Sequence, residues 1–132
     1  MVVDGLITIS SKFGPKETMD RLESEVQRKG LSIFARIDHA AGAAAAGLPL
    51  RPTGVLIFGT ARGGTPLMLA VQTAGIDLPL KALVWQDAGG QVWLSYNDPA
   101  WIAQRHRAGA AAASTVQTLT KALESFAKAA TE

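Results

Sequence analysis

Two apolar, alternating segments flank a four-residue turn sequence, and their pairing limits the folds open to this chain. The segments cover residues 80–86 and 91–96, and Asp87-Ala88-Gly89-Gly90 lies between them. Glycine adopts the positive φ angles of tight hairpin turns without strain, so the pattern predicts an antiparallel hairpin. Because a short turn can join only antiparallel strands, the sheet is predicted to be mixed or mostly antiparallel.

Strand patterns and helix patterns alternate through the rest of the chain. Alternating apolar residues predict strands over 3–10 and 33–38, and a continuous apolar run predicts a buried strand over 55–58. The helices are predicted between residues 15 and 30, as one or two turns over 40–46, between 65 and 75, from 99 to 106 and from 114 onward. Thr65 is predicted to cap the helix that begins at Pro66, because proline suits the first helical position.

The predicted order of elements is β-α-β-(α)-β-α-β-β-α-α. A chain of 132 residues is long enough for one hydrophobic core and too short for a doubly wound sheet. Residues 1–132 are therefore predicted to form a single domain. The fold class that this order favours is α+β, with a five-stranded sheet and helices packed mainly on one of its faces.

Composition and charge exclude several classes of function. The sequence contains no cysteine, so disulfides, thiolate metal sites and cysteine nucleophiles are excluded. A net charge of only +2 gives no reason to expect nucleic-acid binding. The start of the chain lacks a signal-peptide pattern and residues 40–50 are too few to span a bilayer, so we expect a cytoplasmic protein that does not enter membranes. His39 and His106 lack the spacing of metal ligands, and no metal or cofactor is expected.

Several blocks of sequence resemble the DUF302 family, a widespread bacterial and archaeal family of domains of unknown function. The blocks cover most of the chain: IDHAA at 37–41, LRPTGVLIFG at 50–59, GTPLM at 64–68, DLPLK at 77–81, VWQD at 84–87 and VWLSY at 92–96. The resemblance implies a compact α+β fold similar to half of the TATA-binding protein, often a dimer, and implies no activity. This sequence departs from the family at Thr60-Ala61, where relatives usually carry Asn-Pro.

A glycine-rich segment, residues 59–65, follows a predicted strand and precedes a predicted helix, as phosphate-binding loops do. The lysine that should follow Gly64 is absent, which excludes a nucleoside-triphosphatase site. Arg62, Gly64 and Thr65 remain candidates for binding a carboxylate or phosphate at the positive end of the helix. The alternative is an ordinary glycine turn before a capped helix.

Asp38 and His39 are the candidate catalytic pair, because a carboxylate can orient an imidazole and raise its basicity. Neighbouring residues on a strand point to opposite faces, which argues against their pairing unless the strand has ended. The alternative is that Asp38 caps the alanine-rich turn and that His39 is hydrogen-bonded at the sheet edge.

Lys81, Trp93 and Tyr96 complete the candidate ligand contacts. An inward-facing Lys81 would lose solvation and could bind an anion, whereas the alternative is a lysine that extends to solvent at the sheet edge. Trp85 is expected to face Trp93 across the hairpin, and most of this aromatic cluster is expected to be core. A ligand site is expected where the aromatic residues meet the segment 59–65.

These observations lead to one functional hypothesis and two alternatives. The first is a non-catalytic, homodimeric module that binds a small anionic or amphipathic ligand or serves regulation. The second is an enzyme that uses His39 and Asp38 as acid-base groups. The third is a purely structural protein-protein interaction domain, in which an apolar stripe of the last helix packs on another subunit; the stripe comprises Val116, Leu119, Leu123 and Phe126.

Overall fold

The computed structural model describes residues 2–132, in which five strands form one sheet. The strands are β1 (Leu6–Ser10), β2 (Ser32–Asp38), β3 (Thr53–Gly59), β4 (Leu80–Gln86) and β5 (Val92–Asn97). The α-helices are α1 (Pro15–Arg28), α2 (His39–Ala45), α3 (Ala61–Ala70), α4 (Pro99–Arg105) and α5 (Ala113–Thr131). Two short 3₁₀ helices cover Gln72–Asp77 and Ala110–Ala112.

The sheet has the order β1-β5-β4-β3-β2, and every neighbouring pair is antiparallel. The α+β class and the five-stranded sheet predicted from the sequence are thus confirmed. The hairpin is confirmed as well, because Trp85 lies opposite Trp93 in the β4–β5 register. Their rings stack with centroids 6.1 Å apart and planes inclined by 28°.

The hydrophobic core lies between one face of the sheet and the helices α1 and α5. Side chains that alternate along the central strands point into it, because successive strand residues face opposite sides. The core residues of β3, β4 and β5 are Leu56, Phe58, Leu80, Ala82, Val84, Val92, Leu94 and Tyr96, all buried. Phe58 meets Phe126 of α5 edge to face at 5.8 Å, which joins the central strand to the longest helix.

The other face of the sheet carries half-buried side chains, most of them apolar. We call it the open face and define it by Val55, Ile57, Lys81, Leu83, Trp85 and Trp93. Lys81 is its one charged member. Ser95 pairs with Leu83 in the β4–β5 register and connects three strands on this face. Its Oγ accepts a hydrogen bond from Trp85 Nε1 at 2.9 Å and lies 2.8 Å from Thr8 Oγ1.

Three local predictions were wrong. The first strand begins at Leu6, because Asp4 and Gly5 form a turn. Helix α3 begins at Ala61, capped by Thr60 instead of Thr65, and Pro66 lies inside it. In β2 the alternation breaks between Ile33 and Ala35, where the register with β3 shifts at an irregularity of the bulge type.

Candidate functional site

A cavity of about 380 Å³ lies where β3 ends and α3 begins. We call it the β3–α3 cavity. Its walls come from the start of β2, from α3, from the 3₁₀ segment before β4 and from α5. The lining residues are Leu31, Phe34, Gly59, Thr60, Ala61, Gly63, Gly64, Met68, Gly75, Leu78, Pro79, Leu80, Thr118, Leu119 and Ala122.

Thr60 and the glycines after it shape the wall that α3 contributes. The Thr60 hydroxyl accepts a hydrogen bond from the Gly63 amide at 3.0 Å, which satisfies one of the free donors at the start of the helix. A Cβ atom at Gly64 would lie 3.5 Å from Leu78 Cδ1, in ordinary van der Waals contact. The absent side chains therefore leave room between the helix and the opposite wall.

The cavity offers a ligand a mainly apolar surface. Among its lining side chains only Thr60 and Thr118 carry a polar group. The Thr60 oxygen already accepts from Gly63, and the Thr118 hydroxyl donates to the Ser114 carbonyl at 3.0 Å. Chemically, such a wall favours a hydrocarbon or aromatic group over a charged one.

Of the segment predicted to bind an anion, only part reaches the cavity. Gly64 lines it, whereas Arg62 and Thr65 are exposed on α3 and are not among the lining residues. Arg62 is nevertheless the next residue in the sequence after Ala61, which lines the cavity.

The strand register separates the remaining candidates from this cavity. Lys81 pairs with Ile57 near the cavity end of the sheet, but it belongs to the open face. Trp93 pairs with Trp85, four residues further along β4, which corresponds to about 13 Å. Tyr96 points to the core and is only 4% exposed, and its burial raises its pKa. The expected meeting of these aromatic residues with segment 59–65 is therefore not found.

Both indoles of the open face are held by their own hairpin. Trp85 Nε1 donates to Ser95, as described above, and Trp93 Nε1 donates to Asp87 Oδ2 at 2.9 Å. The bond from Trp93 is the largest influence that lowers the pKa of Asp87. These contacts give the tryptophan pair a role in fixing the register of the hairpin.

Asp38 and His39 lie at the opposite end of β3 from the cavity. Asp38 Oδ1 accepts a hydrogen bond from Ala41 N at 2.9 Å and caps α2, which confirms the structural alternative for this residue. His39 is exposed as the first residue of α2. Within residues 2–132 no hydrogen bond joins the two side chains, so this geometry does not form the candidate acid-base pair.

Asp38 also lines a cleft of about 580 Å³ at this end of the sheet. The cations of the cleft, Lys16 and Arg36, both contact Asp20, at 2.7 and 2.8 Å. Their hydrogen bonds lower the pKa of Asp20. Because a carboxylate already neutralises these cations, the cleft is a weaker site for an anion than its residue types suggest.

Sequence reasoning missed a polar cluster around Asp77. Asp77 Oδ2 lies 2.6 Å from His106 Nε2, and both carboxylate oxygens lie 2.9 Å from Arg105 Nη1. On the other side of the imidazole, Nδ1 lies 2.8 Å from Thr73 Oγ1. Thr73 and Asp77 precede their partners Arg105 and His106 by 28 to 33 positions in the sequence. They form no local sequence motif, and only the fold brings them together.

The part of the chain that the structure describes contains no group of three or more His, Asp or Glu side chains placed to hold a metal ion. None of its helices combines the length and the apolar character needed to cross a membrane.

Comparison with solved structures shows a similar fold elsewhere. A crystal structure of an uncharacterized conserved protein DUF302 from Bacillus stearothermophilus superimposes with a TM-score of 0.85. The match covers 97% of this chain and 99% of the other, at 18% sequence identity. At this identity the likeness concerns the fold.

Curated relatives are longer proteins. This chain is 47% identical over 109 residues to a protein of Brucella suis biovar 1 named fluoride-specific ion channel FluC 1. It is equally similar to one of Brucella melitensis biotype 1 named fluoride-specific ion channel FluC 2. The matches cover 83% of this chain but 43% and 40% of the relatives. The chain thus spans less than half the length of the curated relatives that it matches.

The family model described as "Domain of unknown function DUF302" matches residues 7–126. This range runs from the second residue of β1 into α5, and it includes the other four strands and the whole β3–α3 cavity. The chain belongs to the DUF302 family.

Proposed function

We propose that this domain is a regulatory, small-ligand-binding module of the cytoplasm, and that its ligand lies in the β3–α3 cavity without being transformed there. The observation that carries the proposal is the cavity itself. Its volume of about 380 Å³ falls in the range of about 300–1,000 Å³ that is usual for small-molecule sites. Its lining is almost entirely apolar, as described above.

The ligand class that fits this site is a small amphipathic anion. The hydrocarbon part would occupy the cavity, since burying it there removes apolar surface from water. The charged part would stay outside, because the lining side chains carry no charge and include only two hydroxyl groups. Arg62, exposed next to the lining residue Ala61, is the proposed contact for that charge.

Octanoate is a suitable probe, and thermal melting is a suitable measurement. A ligand at about 100 times its Kd stabilises the folded state by about 2.7 kcal/mol, so Tm should rise by several degrees. Ala122→Leu, which fills the cavity from α5, should abolish the rise. Ser125→Leu adds a similar side chain to an exposed position of the same helix and should keep it.

Octanol has the same chain length as octanoate but no charge, so it tests the cavity without the proposed contact to Arg62. Arg62→Gln should weaken octanoate binding and leave octanol binding unchanged. If octanoate and octanol both fail to stabilise the wild-type protein, or if Ala122→Leu binds them as well as Ser125→Leu does, the cavity is not the site.

We further propose that the module is a homodimer joined through the open face. Five of the six residues that define this face are aliphatic or aromatic, and all five are only half-buried. Exposed apolar patches of this kind are typical of interfaces. Five strands about 4.8 Å apart and about six residues long make a face of roughly 24 by 20 Å. Because side chains project from this flat rectangle, the accessible area of the face is larger than the rectangle itself. It approaches the roughly 800 Å² per partner that a standard interface buries.

The similarity to proteins named fluoride-specific ion channels suggests a second role. We propose that the domain serves such proteins as an accessory module, since it corresponds to less than half of their length. The test measures fluoride efflux from liposomes that contain the Brucella suis relative, with and without its 109 matched residues. An accessory role predicts that the deletion preserves the maximal efflux and removes its response to octanoate. Loss of conduction itself would contradict the accessory role.

A further inference from the structure

The Asp77 cluster joins a hydroxyl, an imidazole and a carboxylate in one row. The Thr73 Oγ1 to His106 Nδ1 distance is 2.8 Å, and the His106 Nε2 to Asp77 Oδ2 distance is 2.6 Å. Arg105 Nη1 contacts both Asp77 oxygens at 2.9 Å. Activated hydroxyls in enzymes recur in one arrangement. The hydroxyl is hydrogen-bonded to a base, and a third group orients that base.

The charge of Asp77 fixes the protons of this row. Burial has the largest single influence and raises the Asp77 pKa, but the hydrogen bonds and charges of His106 and Arg105 together lower it. An ionised carboxylate only accepts hydrogen bonds, so His106 Nε2 carries a hydrogen and donates it. In the neutral imidazole, Nδ1 then has the lone pair and accepts the Thr73 hydroxyl proton.

The exposure of the three side chains suits a nucleophile that meets its substrate at the surface. The His106 and Asp77 side chains are only 9% and 13% exposed, which shields the base and its partner from water. Thr73 is exposed. The hydroxyl is therefore the accessible end of the row.

We propose that Thr73 Oγ1 is a nucleophile activated by His106, with Asp77 as the positioning residue, and that it accepts acyl groups from small activated esters. This activity goes beyond ligand binding in the β3–α3 cavity and does not depend on it. None of the four residues in the cluster lines that cavity.

The proposed reaction is the hydrolysis of the ester through an acyl-threonine, and it consumes only the ester and water. Thr73 Oγ1 forms a bond to the ester carbonyl carbon while its proton passes to His106 Nδ1. The electron pair that collects on the carbonyl oxygen returns and breaks the bond to the leaving alcohol, which takes the proton from His106. Water, deprotonated by His106, then attacks the acyl-threonine, and the carboxylic acid leaves as Thr73 regains its proton.

The test uses p-nitrophenyl acetate with the full chain and follows both nitrophenol release and acetylation by mass spectrometry. Trypsin releases residues 63–81 as one peptide, which contains Thr65 as well as Thr73, so fragmentation must assign the acetyl group. Acetylation is expected on Thr73. Thr73→Val should abolish it, and His106→Gln should slow it by about 100-fold or more, which is the contribution typical of general-base catalysis.

Three further variants distinguish a nucleophilic role of Thr73 from a structural one. Thr73→Ser keeps a hydroxyl and should remain reactive. Ser24→Ala removes an exposed hydroxyl on α1, outside both the cluster and the cavity, and should leave the rate unchanged. Asp77→Asn should move the pH profile of acetylation as well as lower its rate, because it no longer fixes the tautomer of His106.

Absence of acetyl-Thr73 in the wild-type protein would overturn the proposal. So would acetylation that His106→Gln leaves at the wild-type rate while circular dichroism shows that variant folded. In either case the cluster only fastens the 3₁₀ segment to α4.

Discussion

Gly5 lies at the turn into β1, with φ at +74° and the indole of Trp101 against its α-carbon. A Cβ atom at this position would come within 2.2 Å of Trp101 Cγ, far inside the closest approach of real carbon atoms. Gly30, which follows α1, has a similar φ of +83° but nothing within 4 Å of the corresponding atom. A side chain at Gly30 would therefore cause backbone strain alone, whereas one at Gly5 would cause the same strain and a collision with Trp101.

Alanine substitutions at these two glycines should therefore differ in effect. Gly30→Ala should lower the free energy of unfolding by about 1–2 kcal/mol, the cost of a left-handed conformation for a residue with a Cβ. Gly5→Ala should cost more than that, because Trp101 must also move. Urea denaturation of both variants measures the difference, and equal losses would mean that Trp101 shifts without cost.

Some single residues could be predicted from the sequence because their roles are local. Asp38 caps the helix that begins at the next residue, and the pairing of Trp85 with Trp93 follows from the short turn between their strands. The side of the sheet that Tyr96 faces depends on where the helices pack, which no neighbouring residue reveals. The sequence therefore suggested Tyr96 as a ligand contact, although the structure buries it.

At the level of elements, two threonines compete to begin α3. Thr65 precedes a proline and matches the usual signals of a helix start, but the chain already turns helical at Ala61, where the Thr60 hydroxyl accepts from Gly63. Ending the helix at Ala70 leaves room for the 3₁₀ segment that carries Thr73 and Asp77. Hydrogen bonds of Asp77 to Arg105 and His106 hold this segment against the end of α4.

This attachment should depend on pH through Asp77. Its pKa in the folded protein is lowered from the usual 3.8, so the stabilisation is fully present above that value and is lost as the pH falls through the lowered one. Asp77→Asn should reduce the free energy of unfolding at pH 7 by about 1.5–3 kcal/mol, the range for losing a hydrogen bond to a charged group.

Melting curves of the wild-type protein and Asp77→Asn between pH 7 and pH 2 measure this dependence. Their Tm values should approach one another only below about pH 4, where the wild-type carboxyl takes up its proton. A difference that stays constant across the whole range would show that the charge of Asp77 does not stabilise the fold.

At the level of the whole molecule, the sheet separates two surfaces. One face is covered by α1 and α5 and forms the core, and the open face is left with half-buried apolar side chains. The general architecture could be predicted, because hairpin and helix signals are local. The β3–α3 cavity could not, since its walls come from four parts of the chain between Leu31 and Ala122.

The proposed dimer should be sensitive to charge on the open face. Leu83→Glu buries a carboxylate at the centre of the proposed interface and should shift the mass measured by light scattering from two chains of 13.8 kDa to one. Gln117→Glu adds the same charge to an exposed position of α5 and should remain dimeric. A wild-type protein that stays monomeric at high concentration would contradict the proposal.

The position of the tryptophans decides what the protein's own fluorescence can report. Trp85 and Trp93 lie on the open face, and Trp101 packs near Gly5 and the Arg105 guanidinium. No tryptophan lines the β3–α3 cavity. Dilution of a dimer should therefore change the emission as the stacked indoles meet water, whereas an occupant of the cavity would leave it almost unaltered and needs a probe of its own.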